Sequence, residues 1–288
     1  MSKATAAKLA LEDHQYLLDL LEILKNIAAN RFYKKHGERK DTTEVESAIN
    51  DFFRVAYASE SGKELFSLKE NSRAAVLGFT ADGGFMGSLT TRVIGSMLKE
   101  SSDLDIYEFI LIGKKGVEKL KPLTDKTIVS VSNVSEESFY MIALRVKDHV
   151  LKLLADKKIS KFVAFYPKAV SLNVIKYERE QLFPPEELIK MCAEAKPGKV
   201  EKVIFESDPA AILGSMSGIW LVYKITVMLI ESAIAGYAAQ AQQLENSLDT
   251  MEKIGKKLLL TYRKAKRAEI DKSLREAYCS TLMAKEAE

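Results

Sequence analysis

The chain has 288 residues, 47% of them hydrophobic and 29% charged, with a formal net charge of +3. That length suits one large or two ordinary domains, and the composition excludes a disordered chain or one embedded in a membrane throughout. The charge is too small to name a partner. Two distant cysteines, Cys192 and Cys279, suit a reducing compartment and exclude a disulfide framework or a four-cysteine zinc site.

Residues 1–5 lack the apolar core of a signal peptide. Leu17, Leu20, Leu21, Leu24, Ile27 and Ala28 then form an apolar stripe at helical spacing, with Gly37 as a bend or interruption. From about residue 71 the period changes. Residues 74–80, 107–112, 127–131 and 161–166 read as strands, and 170–177 as one more, ended by Phe183-Pro184-Pro185. Helical patterns at 87–98 and 135–155 lie between them. Strands alternating with helices predict an α/β layer with a mostly parallel sheet.

Ser207-Asp208-Pro209 is a helix start: a capping side chain, then a proline whose missing N–H costs nothing in the first turn. No proline follows. Tyr237, Ala241, Leu244, Leu248, Met251, Gly255, Leu258, Tyr262 and Ala265 alternate steps of four and three, the seam of a coiled coil. A continuous helix over this stretch runs on the order of 120 Å at about 1.5 Å per residue. No small core buries such a helix, so it must lie against a second long helix, a membrane or other chains. Residues 212–230 are almost wholly apolar and include the G-x-x-x-G match Gly214 to Gly218. Lys224 and Glu231 would each cost about 3 kcal/mol at mid-bilayer, so burial by protein fits better than a span.

The fold expected is α/β: an antiparallel coiled coil of long N- and C-terminal helices with an inserted small α/β domain with a mostly parallel sheet. The divisions are 1–61, 71–206 and 207–288.

Candidate chemistry is sparse. Asp82, Gly83, Gly84 and Gly87 lie at a strand-to-helix turn, where glycines can cradle phosphate. The run is neither G-x-x-x-x-G-K-(S/T) nor G-x-G-x-x-G, and no lysine follows. It reads as a tight structural turn requiring positive φ, with Asp82 capping the next helix. His14, His36 and His149 are widely spaced and match no metal motif. No catalytic group, cofactor site or metal site stands out. From Lys253 to Arg267 there are seven basic residues and no acidic one. This is either a solvated helix face or an electrostatic contact with an acidic partner. With Tyr262 its lone aromatic, the run matches no nucleic-acid motif.

Three stretches, in order and at matching spacing, resemble the gamma subunit of the F-type rotary ATP synthase. Leu24-Lys25-Asn26-Ile27-Ala28-Ala29-Asn30-Arg31-Phe32 resembles M-K-M-V-A-A-S-K-L. Thr80-Ala81-Asp82-Gly83-Gly84-Phe85-Met86-Gly87-Ser88-Leu89-Thr90 resembles T-S-D-(K/R)-G-L-C-G-x-(F/Y)-N. Tyr262-Arg263-Lys264-Ala265-Lys266-Arg267-Ala268-Glu269-Ile270-Asp271 resembles Y-N-K-x-R-Q-x-x-I-T. Phe205-Glu206-Ser207-Asp208-Pro209 is similar to Y-E-P-S-P. The resemblance implies a non-catalytic, cofactor-free rotor shaft inside a ring of alpha and beta subunits, where the catalytic sites lie. Its foot would rest on the epsilon subunit and on the membrane-embedded, proton- or sodium-driven c-ring. It would be peripheral on the cytoplasmic face of the inner membrane, with no transmembrane span of its own and no nucleic-acid partner. Together with the basic run, which supplies Lys256 and Lys257, it points to Leu24, Lys25, Arg31, Gln240, Lys256, Lys257, Lys264, Lys266, Arg267 and Asp271 as subunit contacts.

The chain departs from the pattern. The family's Arg-Gln pair is Lys266-Arg267, its following Thr and Glu are Asp271 and Ser273, the arginine of A-A-R-M is Gln240, and the turn ends in Thr90 instead of asparagine. These departures leave the fold expectation intact and put the usual ring contacts in question. A stand-alone coiled-coil scaffold derived from the same fold is the other function class.

Overall fold

The computed structural model describes residues 2–39, 43–57, 73–185 and 209–286. The expected boundaries at 61, 71 and 206–207, the residues Ser207 and Asp208, and Cys192 lie outside them.

The described chain runs α1 (Lys3–Gly37), α2 (Thr43–Tyr57), β1 (Arg73–Phe79), α3 (Leu89–Glu100), β2 (Asp105–Ile112), α4 (Lys114–Leu120), β3 (Thr127–Val131), α5 (Phe139–Ala155), β4 (Lys161–Ser171), β5 (Val174–Phe183) and α6 (Pro209–Glu286). Two compact units emerge. One comprises residues 1–29 with 241–288, the other residues 30–240.

In the second unit, five strands pair in the order β3-β2-β1-β4-β5. The first four are parallel, and β5 returns antiparallel to β4. The strand expected over 170–177 is instead the end of β4, a two-residue turn at Leu172-Asn173 and the start of β5. No glycine or proline marks that turn, which is why the run reads as one strand.

Both faces of the sheet are covered, so β1 is a near-continuous apolar run. Ala75, Leu77 and Phe79 pack with α5 and with Trp220, Leu221, Ile225, Met228 and Leu229 of α6. Val76 faces the other way, toward Val93 and Met97 of α3, Phe32 of α1, and Ile234, Ala235 and Ala238 of α6. Gly78 makes room on this side, because a Cβ there would lie 2.4 Å from Met97 Sδ. α6 is long and apolar enough to cross a membrane by length and composition; Trp220, Leu221, Ile225, Met228 and Leu229 are buried against protein, while Ile219 and Ile230 stay exposed. The G-x-x-x-G pair is split in role. A Cβ on Gly218 would be 3.6 Å from Lys147 of α5, whereas one on Gly214 would meet nothing within 4 Å among the described residues.

In the first unit, α1 and α6 are antiparallel. His14 meets Gly255, and further along α1 Lys25 meets Glu245. The seam on α6 is the one expected: Ala241 and Leu244 are buried, and Leu248, Met251, Gly255, Leu258, Tyr262 and Ala265 are half-buried. The seam on α1 is shifted from the apolar stripe in the sequence. Ala4, His14 and Ala28 are buried, and Ala7, Leu11, Leu18, Leu21 and Lys25 are half-buried. These positions alternate steps of three and four. Leu17, Leu20 and Ile27 are 50%, 51% and 43% exposed. One residue is about 100° around a helix, so neighbours of a seam position fall on the flank.

Candidate functional site

The glycine turn follows β1. Thr80 accepts no helix role. Its N–H donates to the Ile112 carbonyl at 2.8 Å, and its hydroxyl donates to the same oxygen at 2.8 Å. Gly113 and Gly116 crowd it so closely that a Cβ on either would fall within 2.4 Å of Thr80 atoms. Asp82 does not cap the helix that follows it. Its two carboxylate oxygens accept the N–H groups of Lys114, the first residue of α4, and of Val134, each at 3.1 Å. Burial raises its pKa. The backbone N–H groups of Lys114, Val134 and Asn133 outweigh that, and the carboxyl sits below its usual range. Asp82 therefore staples together two loops at the carboxyl edge of the sheet. Positive φ falls on Phe85 and Gly87, at 58° and 52°, and not on Gly83 or Gly84. Thr90, at the departure from the family's asparagine, is buried and accepts the Ala81 N–H at 3.1 Å.

A polar cluster stands beside the turn. Lys35 Nζ lies 2.6 Å from Glu136 Oε2, and the Tyr237 hydroxyl donates to Glu136 Oε1 at 3.0 Å. Arg31 lies over the Tyr237 ring at 5.9 Å. The hydrogen bond from Lys35 leads the causes that hold the Glu136 carboxyl below its usual range. Gln240 Nε2 donates to the Gly84 carbonyl at 3.2 Å. Lys35 and Glu136 are legible in no motif, because the partners lie about a hundred positions apart in sequence.

In the first unit, Leu24 is half-buried and Lys25 pairs with Glu245 at 2.8 Å, which raises the lysine pKa. All seven basic residues from Lys253 to Arg267 are exposed, Lys256, Lys257, Lys264, Lys266 and Arg267 among them. Lys266 Nζ lies 5.8 Å from the Tyr262 ring centroid, one turn back on the same helix. Exposed Asp271 accepts from Arg275 Nε through its backbone carbonyl at 3.1 Å. Among the described residues, no group of three His, Cys, Asp or Glu is placed to hold a metal ion.

A family model described as ATP synthase matches residues 20–278. The chain belongs to this family, that of the ATP synthase gamma chain. It is 24% identical to the ATP synthase gamma chain of Halothermothrix orenii, over 72% of each chain. It is also 24% identical to that of Picosynechococcus, over 89% of this chain and 91% of the relative. A chain of the Euglena gracilis mitochondrial ATP synthase OSCP/F1/c-ring structure has the same fold, with a TM-score of 0.65 and 16% identity over 99% of this chain and 95% of that one. A chain of the Tetrahymena thermophila central stalk and c-ring gives a TM-score of 0.54 at 13% identity, over 79% of this chain and 99% of that one. For an ATP synthase gamma-family chain, the departures now have addresses. Gln240 and Thr90 both hold the glycine turn, while Lys266, Arg267 and Asp271 are exposed on α6.

Proposed function

We propose that this chain is the central rotor shaft of an F-type ATP synthase or ATPase. It couples rotation driven by a proton or sodium gradient to ATP synthesis or hydrolysis on a ring of alpha and beta subunits. The shaft carries no catalytic group. Its asymmetry holds the ring's nucleotide sites in different conformations as it turns. Its foot meets an epsilon subunit and a membrane c-ring, on the cytoplasmic face of the inner membrane.

One observation carries this reading. The α1–α6 pair satisfies one apolar seam internally and leaves a second outside. Tyr16, Leu20, Ile23 and Ile27 repeat at steps of four and three on α1, and all are more than 40% exposed. With the exposed basic run, this makes a surface that suits enclosure by a sleeve of other chains with acidic segments.

The test reverses Lys256, Lys257 and Lys264 together to glutamate. The chain should fold as before, because all three are exposed. Binding to the ring, or turnover of the assembled complex, should fall at low salt and recover partly at high salt, since exposed charges are screened beyond about 8 Å at physiological ionic strength. Unchanged assembly and turnover at low salt would make the run a solvated face. Purification of the chain without alpha-like and beta-like subunits would favour the scaffold.

A further inference from the structure

The sheet reverses its strand order beside β1. β2 and β3 lie on one side, and β4, the last parallel strand, lies on the other. In open α/β sheets, the crevice at the carboxyl ends of the strands beside such a reversal is where ligands bind. Here it is a cavity of about 270 Å³. Phe79 and Ile112 wall it from the strand ends, Phe139 from α5, and Leu229, Ala233 and Gly236 from one face of α6. The lining is chiefly apolar. That size lies just under the usual range for small-molecule sites, and such sites combine an apolar body with a few placed polar groups.

The polar groups decide the ligand. Asp82 and Glu136 reach the cavity, but both are already matched, Asp82 by backbone N–H groups and Glu136 by Lys35 and Tyr237. The Thr80 hydroxyl is spent on Ile112. Ser232, on the α6 wall, is different. Its Oγ is buried and has no hydrogen-bond partner among the described residues. A buried hydroxyl left without a partner is costly, and this one stands beside the cavity. Among the described residues no cationic side chain lines the space, and two carboxylates do, so a phosphate or carboxylate would be disfavoured.

We propose that this cavity is a binding site for a small uncharged molecule with an aromatic or aliphatic body and one hydroxyl or carbonyl group that pairs with Ser232. The site lies between the sheet and α6, so an occupant would brace the sheet layer against the helix.

The experiment is a fluorine NMR titration of the full chain with 4-fluorobenzyl alcohol as probe and 4-fluorobenzoate as the charged control. The alcohol should bind saturably below about 1 mM, and the benzoate at least tenfold more weakly. Ser232→Ala should weaken the alcohol about tenfold, the loss of one hydrogen bond. The same change should leave the melting temperature unchanged or raised, because it removes an unpaired hydroxyl. Ala233→Leu should abolish saturable binding by filling the space. Absence of saturable binding of the alcohol to the unmodified chain would overturn the proposal. Equal binding of alcohol and benzoate, or undiminished binding by Ser232→Ala, would overturn it as well. None of these readouts depends on the rotor assignment.

Discussion

Gly255 makes room for His14: a Cβ on Gly255 would stand 2.7 Å from His14 Nε2. His14 is 6% exposed, and its Nε2 has no hydrogen-bond partner among the described residues. A seam position on one helix is therefore glycine because its opposite number is a buried imidazole. Alanine is about 1 kcal/mol better than glycine inside a helix. Gly255→Ala alone should fail to realise that gain, because it displaces His14. Gly255→Ala combined with His14→Ala should recover it, with a coupling of about 1 kcal/mol in a double-mutant cycle by thermal unfolding. Additive effects would show that the two positions do not share the space.

The glycines around the strand ends should differ sharply in tolerance. At Gly116 a Cβ would lie 2.3 Å from Thr80 Oγ1. Alanine there should cost about 1–3 kcal/mol, as overpacking does. Gly113 has φ of 104° and would place a Cβ 2.4 Å from the Thr80 carbonyl oxygen, a backbone atom that cannot swing aside. Its alanine variant should be the worse of the two. A Cβ on Gly84 would meet nothing within 4 Å among the described residues. Gly84→Ala should change stability by no more than about 0.5 kcal/mol. Denaturant melts of the three variants rank them, and an equal cost at Gly84 and Gly116 would contradict the geometry.

Acid should release the loops that Asp82 staples. Its folded pKa lies below the ordinary value, so the carboxylate contributes stability at pH values above its unfolded pKa. That contribution is lost as pH falls through the folded pKa, on the acid side of about pH 4. Glu136, also lowered, acts in the same direction. Asp82→Asn replaces one acceptor oxygen with a donor that faces an N–H. It should cost about 1–3 kcal/mol at neutral pH and flatten the fall of stability below pH 4. An unchanged acid limb in the variant would remove Asp82 from the account.

Lys266 and Arg267 test whether the departures are adaptations. Arginine grips a carboxylate with a planar fork, whereas lysine offers a mobile point charge. Lys266 here sits by Tyr262 of its own helix. Arg267 points about 100° away around the helix. The double change Lys266→Arg with Arg267→Gln restores the family pair. It should impair turnover or coupling in the native complex if the partner surface has adapted to Arg267. Unaltered or improved coupling would make the position merely tolerant.

Periodicity along the chain determines the types of the longest elements, though not the turn between β4 and β5 or the short α4. The steps of three and four from Tyr237 to Ala265 need only local helix geometry, and the structure buries or half-buries each of those positions from Ala241 on. The apolar runs of β1, β2 and β4 fit a sheet covered on both faces, whereas β3, at the edge, has no buried residue. What periodicity along one helix does not carry is which of its faces meets the partner. On α1 several faces repeat at the same spacing. The tertiary structure selected the one through Ala4, His14, Lys25 and Ala28, and left the more apolar Tyr16, Leu20 and Ile23 outside. Packing against α6 made that choice, through the gap at Gly255 and the carboxylate of Glu245. The turn behaves alike. Its glycines are visible in the sequence, but the work of Asp82 is to hold Lys114 and Val134, which chain folding alone brings near. Local spacing dictates backbone conformation. Side-chain partners distant in sequence are settled only when the layers close.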